Sequence, residues 1–212
     1  MKVGILGSGV VAQALASGFQ KYGYDVTIGT RNSSKLDKFT TANESIRVAS
    51  FVDAAKSSDL LVLAVKGNAA KSVLDLAGIE NLSDKIVIDT TNPIADAPPD
   101  NGVIRYFTGP NESLMEELQQ LVPEAKFVKC FNCVGNSLMV NPEFGGVKPT
   151  MFICGKDESS KQEVSRILDK FGWEVADMGG VEGARAIEPL AMLWCIPGIL
   201  RGEWRIAFKL MK

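Results

Sequence analysis

Met1-Lys2-Val3-Gly4-Ile5-Leu6-Gly7-Ser8-Gly9-Val10-Val11-Ala12 opens the chain, and its reading decides the fold. Val3 to Leu6 is a short apolar run bounded by glycines, the pattern of a buried strand. A helical pattern follows at once, with Val11, Leu15, Phe19 and Tyr22 recurring at steps of four, four and three. A strand that turns through Gly-x-Gly into a helix is the context of a dinucleotide fingerprint. Gly7 allows the tight turn, and Gly9 lets the backbone approach a pyrophosphate. The pyrophosphate would then sit on the free N–H groups and positive end of the helix. Ala12 stands at the third glycine position, where a small residue serves close helix–strand packing.

The second strand, Asp25-Val26-Thr27-Ile28-Gly29, leads into Thr30-Arg31-Asn32-Ser33-Ser34-Lys35. An NAD site calls for Asp or Glu at this strand end, roughly 20 residues past the glycines, to hold the ribose 2′-hydroxyl. Here Thr30 and Arg31 occupy the place, with Lys35 close behind. A carboxylate would repel a 2′-phosphate, whereas Arg clamps one with a forked pair of charged hydrogen bonds. At roughly 1.5–3 kcal/mol each, two such bonds favour NADP over NAD about a hundredfold or more. Alternatively, Arg31 and Lys35 are solvated surface charges.

A chain of 212 residues predicts one domain spanning 1–212, with a sheet core over 1–180 and a helical extension over 181–212. The net charge of −2 supplies no argument for nucleic acid or an anionic membrane as partner. The N-terminus enters a strand directly, so no secretory signal is expected. The apolar run over 189–200 is interrupted by Pro189 and Pro197 and is too short to span a bilayer. Cys130, Cys133, Cys154 and Cys195 read as reduced thiols of a cytoplasmic protein. Cys130-Phe131-Asn132-Cys133 is formally a C-x-x-C, but it follows a strand rather than opening a helix. That disfavours a redox disulfide, and no second pair completes a zinc site. The absence of histidine removes every mechanism built on a His base or ligand. A nicotinamide enzyme without histidine tilts toward hydride transfer between two carriers, where positioning matters more than proton abstraction.

Further along, 34–41 is a helix candidate, 46–49 a strand, and Ser50 caps a helix over 51–57. The run 59–65 is almost continuously apolar, which marks a strand buried on both faces of a parallel sheet. A helix over 70–77 and a strand over 85–89 follow. Alternation of strands and helices predicts a doubly wound α/β Rossmann sheet with its ligand at the carboxyl ends of the strands. Ala64-Val65-Lys66-Gly67-Asn68 and Thr90-Thr91-Asn92-Pro93-Ile94 are therefore expected to face the cleft. Residues 94–110 are Pro/Gly-rich and unpatterned, as expected of a lid or mobile segment. Asn111 would cap a helix over 112–121, a sixth strand runs over 125–129, and 130–136 exits on the cleft side. A strand over 150–154, a helix over 158–171 capped by Asp157, and a strand over 173–177 complete the sheet. Residues 184–212 read as helix kinked at Pro189 and Pro197. Ile187, Leu190, Leu193, Trp194, Ile199, Leu200, Trp204 and Phe208 form its apolar face, covering core, substrate pocket or a homodimer seam.

With these residues in place, the chain resembles the NADP-dependent reductases of the deazaflavin coenzyme F420, and the related NADP-binding domains of the six-transmembrane metalloreductases. The resemblance runs through Lys2 to Gly9, Ile28-Gly29-Thr30-Arg31-Asn32 and Val87-Ile88-Asp89-Thr90-Thr91-Asn92-Pro93. It continues in Lys129-Cys130-Phe131-Asn132-Cys133-Val134-Gly135 and Gly183-Ala184-Arg185-Ala186-Ile187-Glu188-Pro189-Leu190. It implies NADP held at the pyrophosphate by Ser8, Val10 and Val11, and at the 2′-phosphate by Thr30, Arg31 and Lys35 beside Asn32. Val65 and Lys66 would border the adenosine, and Thr91, Asn92 and Pro93 would flank the nicotinamide. Asn132, Cys133 and Val134 would sit where two rings stack, closed over by Arg185, Glu188 and Leu190. The implied activity is hydride exchange between NADPH and coenzyme F420 or a flavin-like carrier, with no residue acting as a strong acid or base. Two departures bear on the carrier. This chain has no histidine in Phe131-Asn132-Cys133 and no aromatic near Lys66-Gly67. FMN, FAD or, through them, ferric ion remain alternatives, as does a non-catalytic NADP-sensing module.

Overall fold

The computed structural model describes residues 1–211. Six parallel strands form the main sheet: β1 (Lys2–Leu6), β2 (Asp25–Gly29), β3 (Arg47–Ala49), β4 (Leu60–Leu63), β5 (Ile86–Asp89) and β6 (Lys126–Lys129). Their order is β3-β2-β1-β4-β5-β6, the doubly wound Rossmann arrangement, with the chain reversing direction between β1 and β4. A parallel pair, β7 (Thr150–Ile153) and β8 (Glu174–Asp177), joins the β6 edge through an antiparallel bridge between Lys129 and Cys154.

Helices cover both faces, which is why the strands are apolar on both sides. Val3, Ile5, Leu60 and Val62 face α1 (Val10–Lys21) and α6 (Glu158–Lys170), in a core that includes Phe19, Phe171 and Trp173. Leu6, Leu61 and Leu63 face the opposite way. There they meet α3 (Phe51–Ser57), α4 (Ala70–Ala77) and α5 (Leu114–Leu121). A 3-10 turn (Ser33–Leu36) and α2 (Asp37–Ala42) divide the stretch expected as one helix. Ser50 and Asp157 cap α3 and α6 as expected, accepting from Asp53 N and Ser160 N. The cap of α5 is Ser113 rather than Asn111. Ser113 Oγ accepts Glu116 N–H while Glu116 takes the Ser113 hydroxyl, a side-chain pairing that moves the helix start two residues later.

Within the stretch 94–110, expected to be unpatterned, residues 94–107 are ordered by backbone hydrogen bonds. Bridges Ile94–Tyr106 and Asp100–Val103 fold the first part into a narrow antiparallel excursion, and Phe107 N–H returns to the Pro93 carbonyl at 2.9 Å. The Tyr106 hydroxyl donates to the Glu188 carbonyl at 2.7 Å, tying the excursion to the C-terminal region.

That region departs most from the sequence reading. It forms α7 (Ala184–Ile187) and α8 (Pro189–Arg201), and helix stops there. Pro189 starts α8, a position where a missing N–H costs nothing, whereas Pro197 lies inside the helix. Gly202 ends it in the left-handed conformation, with its N–H on the Gly198 carbonyl. Residues 202–211 are not helical. They return along β7, with Thr150 N–H donating to the Phe208 carbonyl at 2.9 Å and Leu210 N–H to Thr150 Oγ1 at 3.1 Å. Lys212, also expected as helix, lies outside the described residues. Leu193 and Leu200, on the expected apolar face, are more than half exposed, and only Ala191 and Gly198 of α8 are buried. Together with α7 the apolar run is longer than 189–200. By length and composition alone, Val181–Arg201 is long and apolar enough to cross a membrane.

Candidate functional site

The ends of β1, β2, β4 and β5 open on one cleft of about 560 Å³, lined by Ser8, Gly9, Val10, Val11, Arg31, Ala64, Val65, Lys66, Ala69 and Thr90. A second hollow of about 200 Å³ adjoins it through Val65, Lys66 and Thr90 and extends to Thr91, Asn92 and Asp96. Parallel strands place these residues together because each enters its turn at the same sheet edge.

Gly7 has φ +137°, and a Cβ there would run into the Ala64 carbonyl oxygen. Only glycine brings β1 and β4 this close at their ends. Gly9 is the opposite case, since a Cβ on it would meet nothing within 4 Å. Its backbone therefore forms an open cradle at the start of α1, whose first turn has no side-chain cap. The unpaired N–H groups, the dipole and the bare glycine suit a phosphate. The Thr30 hydroxyl donates to Ser8 Oγ at 3.2 Å, so the first and second turns are joined. Arg31 is exposed and lines the cleft. Asn32 is occupied locally, its Oδ1 accepting Ser34 N–H at 3.1 Å and capping the 3-10 turn. Lys35 is exposed on that turn and does not line the cleft.

The β5 and β6 exits are interlocked. Gly67 lies so close to Asn92 that a Cβ would strike the Asn92 carbonyl oxygen. Asn92 Nδ2 donates to the Asn132 carbonyl at 2.7 Å, and Asn132 Nδ2 donates to Asn92 Oδ1 at 3.1 Å and to the Ile187 carbonyl at 2.9 Å. Pro93, Cys133 and Val134 are buried and line neither hollow. Arg185 is engaged in a paired contact with Glu116.

Beneath the wall lies a feature the sequence reading did not single out. Lys129, wholly buried, meets Asp89 Oδ2 at 2.7 Å and Glu188 Oε1 at 2.8 Å, and donates to the Thr91 carbonyl at 2.8 Å. Asp89 Oδ1 accepts both the Thr91 N–H and the Thr91 hydroxyl. The Glu188 carboxylate also accepts Leu114 N and Met115 N at 3.0 Å each, at the start of α5. Burial opposes the Lys129 charge, but Asp89 and Glu188 outweigh it, and its pKa is raised. Each of the three residues stands in one of the segments that carry the family resemblance, and the charges of Asp89 and Lys129 at the ends of buried strands were the available signal. Burial also pushes the thiols up: Cys133 and Cys154 reach about 12, and Cys130 lies well above its ordinary value. All four cysteines are free thiols, and these three are buried.

Residues 2–93 match the family model described as "NADP oxidoreductase coenzyme F420-dependent". The whole chain superposes on the whole of a candidate F420-dependent NADP reductase from Arthrobacter sp. FB24, with TM-score 0.93 and 32% identity. The chain belongs to the coenzyme F420-dependent NADP oxidoreductase family. Its family is one of NADP-dependent oxidoreductases. The chain is also 31% identical over 205 residues to the metalloreductase STEAP3 of Rattus norvegicus, covering 94% of this chain but 39% of that one. The chain thus spans about two fifths of the length of the metalloreductases it matches. A reductive aminase from Aspergillus terreus, in complex with NADPH and ethyl levulinate, shares the fold at 18% identity and TM-score 0.69.

Proposed function

We propose that the protein exchanges hydride between NADPH and a deazaflavin carrier, coenzyme F420. The end-to-end likeness to the Arthrobacter chain carries this reading. The open Gly9 cradle and Arg31 at the cleft support the nucleotide half of it. In this proposal Ser8, Val10 and Val11 hold the pyrophosphate and Thr30 and Arg31 hold the 2′-phosphate, with Lys35 adding charge nearby. Val65 and Lys66 border the adenosine, and Thr91 and Asn92 present the nicotinamide side of the wall. Bound NADPH would supply the hydride, while the residues here bind, orient and exclude water. No side chain needs to move a proton at the reacting carbon, which suits a chain without histidine.

Flavin-linked ferric reduction is the second reading, favoured by the likeness to STEAP3. Anaerobic mixing with NADPH and oxidised coenzyme F420, FMN or FAD in parallel separates the readings. Bleaching of the deazaflavin alone supports the first, and reduction of FMN or FAD alone supports the second. Tight NADPH binding without turnover would refute both in favour of a sensing module. In the same assay Arg31→Ala should raise the NADPH KM at least tenfold and leave that for NADH within about twofold. The exposed Leu193 and Leu200 on α8 support a homodimer, which sedimentation would test.

A further inference from the structure

We infer that residues 94–107 form a lid at the cleft, and that the Tyr106 hydroxyl is the clasp that sets how often it opens. The inference rests on the NADP reading above and adds control of entry and release.

Most of the bonding in this segment is internal. Ala95 N–H reaches the Arg105 carbonyl at 2.8 Å, and Asp100 and Val103 exchange both of their main-chain bonds at 2.9 Å. At the tip, Asn101 and Gly102 take φ values of +47° and +85°, as a two-residue hairpin turn requires. The hairpin therefore carries its own shape. It does not carry a core, because only Gly102 of residues 94–107 is buried. Few buried contacts and exposed backbone bonds mark a segment that opens before the rest of the fold.

Among the described residues, two side-chain hydrogen bonds tie the hairpin to other elements. Asn68 Nδ2 donates to Asp96 Oδ2 at 2.7 Å, and the Tyr106 hydroxyl donates to the Glu188 carbonyl at 2.7 Å. The first is exposed, so water competes for it. The second is partly buried, and its post is fixed. The Glu188 carboxylate is held by Lys129 Nζ at 2.8 Å and by the first two amides of α5. The tip rests on α8, where a Cβ on Gly102 would stand 2.7 Å from Leu200 Cγ. Between root and tip, the hairpin and α8 share a hollow of about 610 Å³, lined by Val103 to Tyr106 and by Met192. At the root, Ile94 and Asp96 line the 200 Å³ hollow that adjoins the nucleotide cleft. A ligand in that hollow meets the hairpin, which lifts for it to enter or leave.

Loss of one hydroxyl tests this. Opening of a gate precedes both entry and release, so a weaker clasp speeds both and leaves affinity alone. A residue that only touches the ligand or braces the fold changes affinity instead. In stopped-flow fluorescence with NADPH, Tyr106→Phe should raise the association and dissociation rate constants together, each about fivefold, the factor of one net hydrogen bond, with Kd within about twofold of wild type. Unchanged rates, faster release with unchanged entry, or a larger shift in Kd overturns the lid. Hydrogen exchange without ligand checks the clasp independently. Amides of 94–107 should exchange about fivefold faster in Tyr106→Phe, while those of β1 and β4 keep their wild-type rates. Equal exchange in 94–107, or faster exchange in β1 and β4 as well, overturns the clasp. Failure of wild type to bind NADPH overturns the NADP reading and the lid's role in it, and the exchange result still decides the clasp.

Discussion

Replacing Lys129 with Met removes one charge from a wholly buried site. The ammonium is wholly buried and makes three contacts of 2.7–2.8 Å, two of them to carboxylates. Removing one member of a buried charge set typically costs about 3–5 kcal/mol, because the remaining charge stays buried without its partner. For a chain of this size that corresponds to a fall in Tm of roughly 6–20 °C. Urea unfolding of Lys129→Met and wild type at pH 7 measures it, provided the m-value is unchanged. The triple change Lys129→Met, Asp89→Asn, Glu188→Gln should recover part of the loss. In wild type the sign follows from the raised Lys129 pKa. Its contribution is complete below the unfolded-state value of about 10.4 and is lost as pH climbs through the higher folded value. A cost below about 1 kcal/mol for Lys129→Met at pH 7 would refute the view that this ammonium balances two buried carboxylates.

The two glycines of the first turn should separate stability from binding. Gly7→Ala puts a Cβ against the Ala64 carbonyl at a φ of +137°, and should cost more than about 2 kcal/mol in urea unfolding. Gly9→Ala meets nothing in the chain and should change stability by no more than about 0.5 kcal/mol, while NADPH affinity drops at least tenfold by fluorescence titration. With Ellman's reagent at pH 8, the native protein should show at most one fast thiol, the half-buried Cys195, and four after unfolding. Burial holds Cys133 near 12 and so keeps it protonated there. Two fast native thiols would revive the redox reading of Cys130 and Cys133.

Much of the cleft was legible in advance because its parts are local. Gly7-Ser8-Gly9 declares a turn through backbone freedom, and the runs Val3 to Leu6 and Leu60 to Leu63 declare strands buried on both faces. Arg31 declares a charge preference simply by standing where a carboxylate otherwise would. The wall at β5 and β6 was legible only as a list of cleft-side residues. That Asn92 and Asn132 bond each other depends on a contact across 40 positions of chain. The C-terminal misreading has a related cause. Residues 202–211 carry enough apolar side chains to suit a helix, but Gly202 turns them back and Thr150 offers hydrogen bonds along β7.

By itself the sequence determined the alternation of strands and helices, the Gly-x-Gly turn and the positive charge at the end of β2, since each follows from residues within a few positions of one another. Only the tertiary structure decided that Asp89, Lys129 and Glu188 meet. Their charges lie on β5, β6 and the start of α8, and no spacing along the chain encodes that meeting. Once the sheet order places β5 beside β6, burial excludes water from all three. Pairing is then the lowest-energy arrangement left to them.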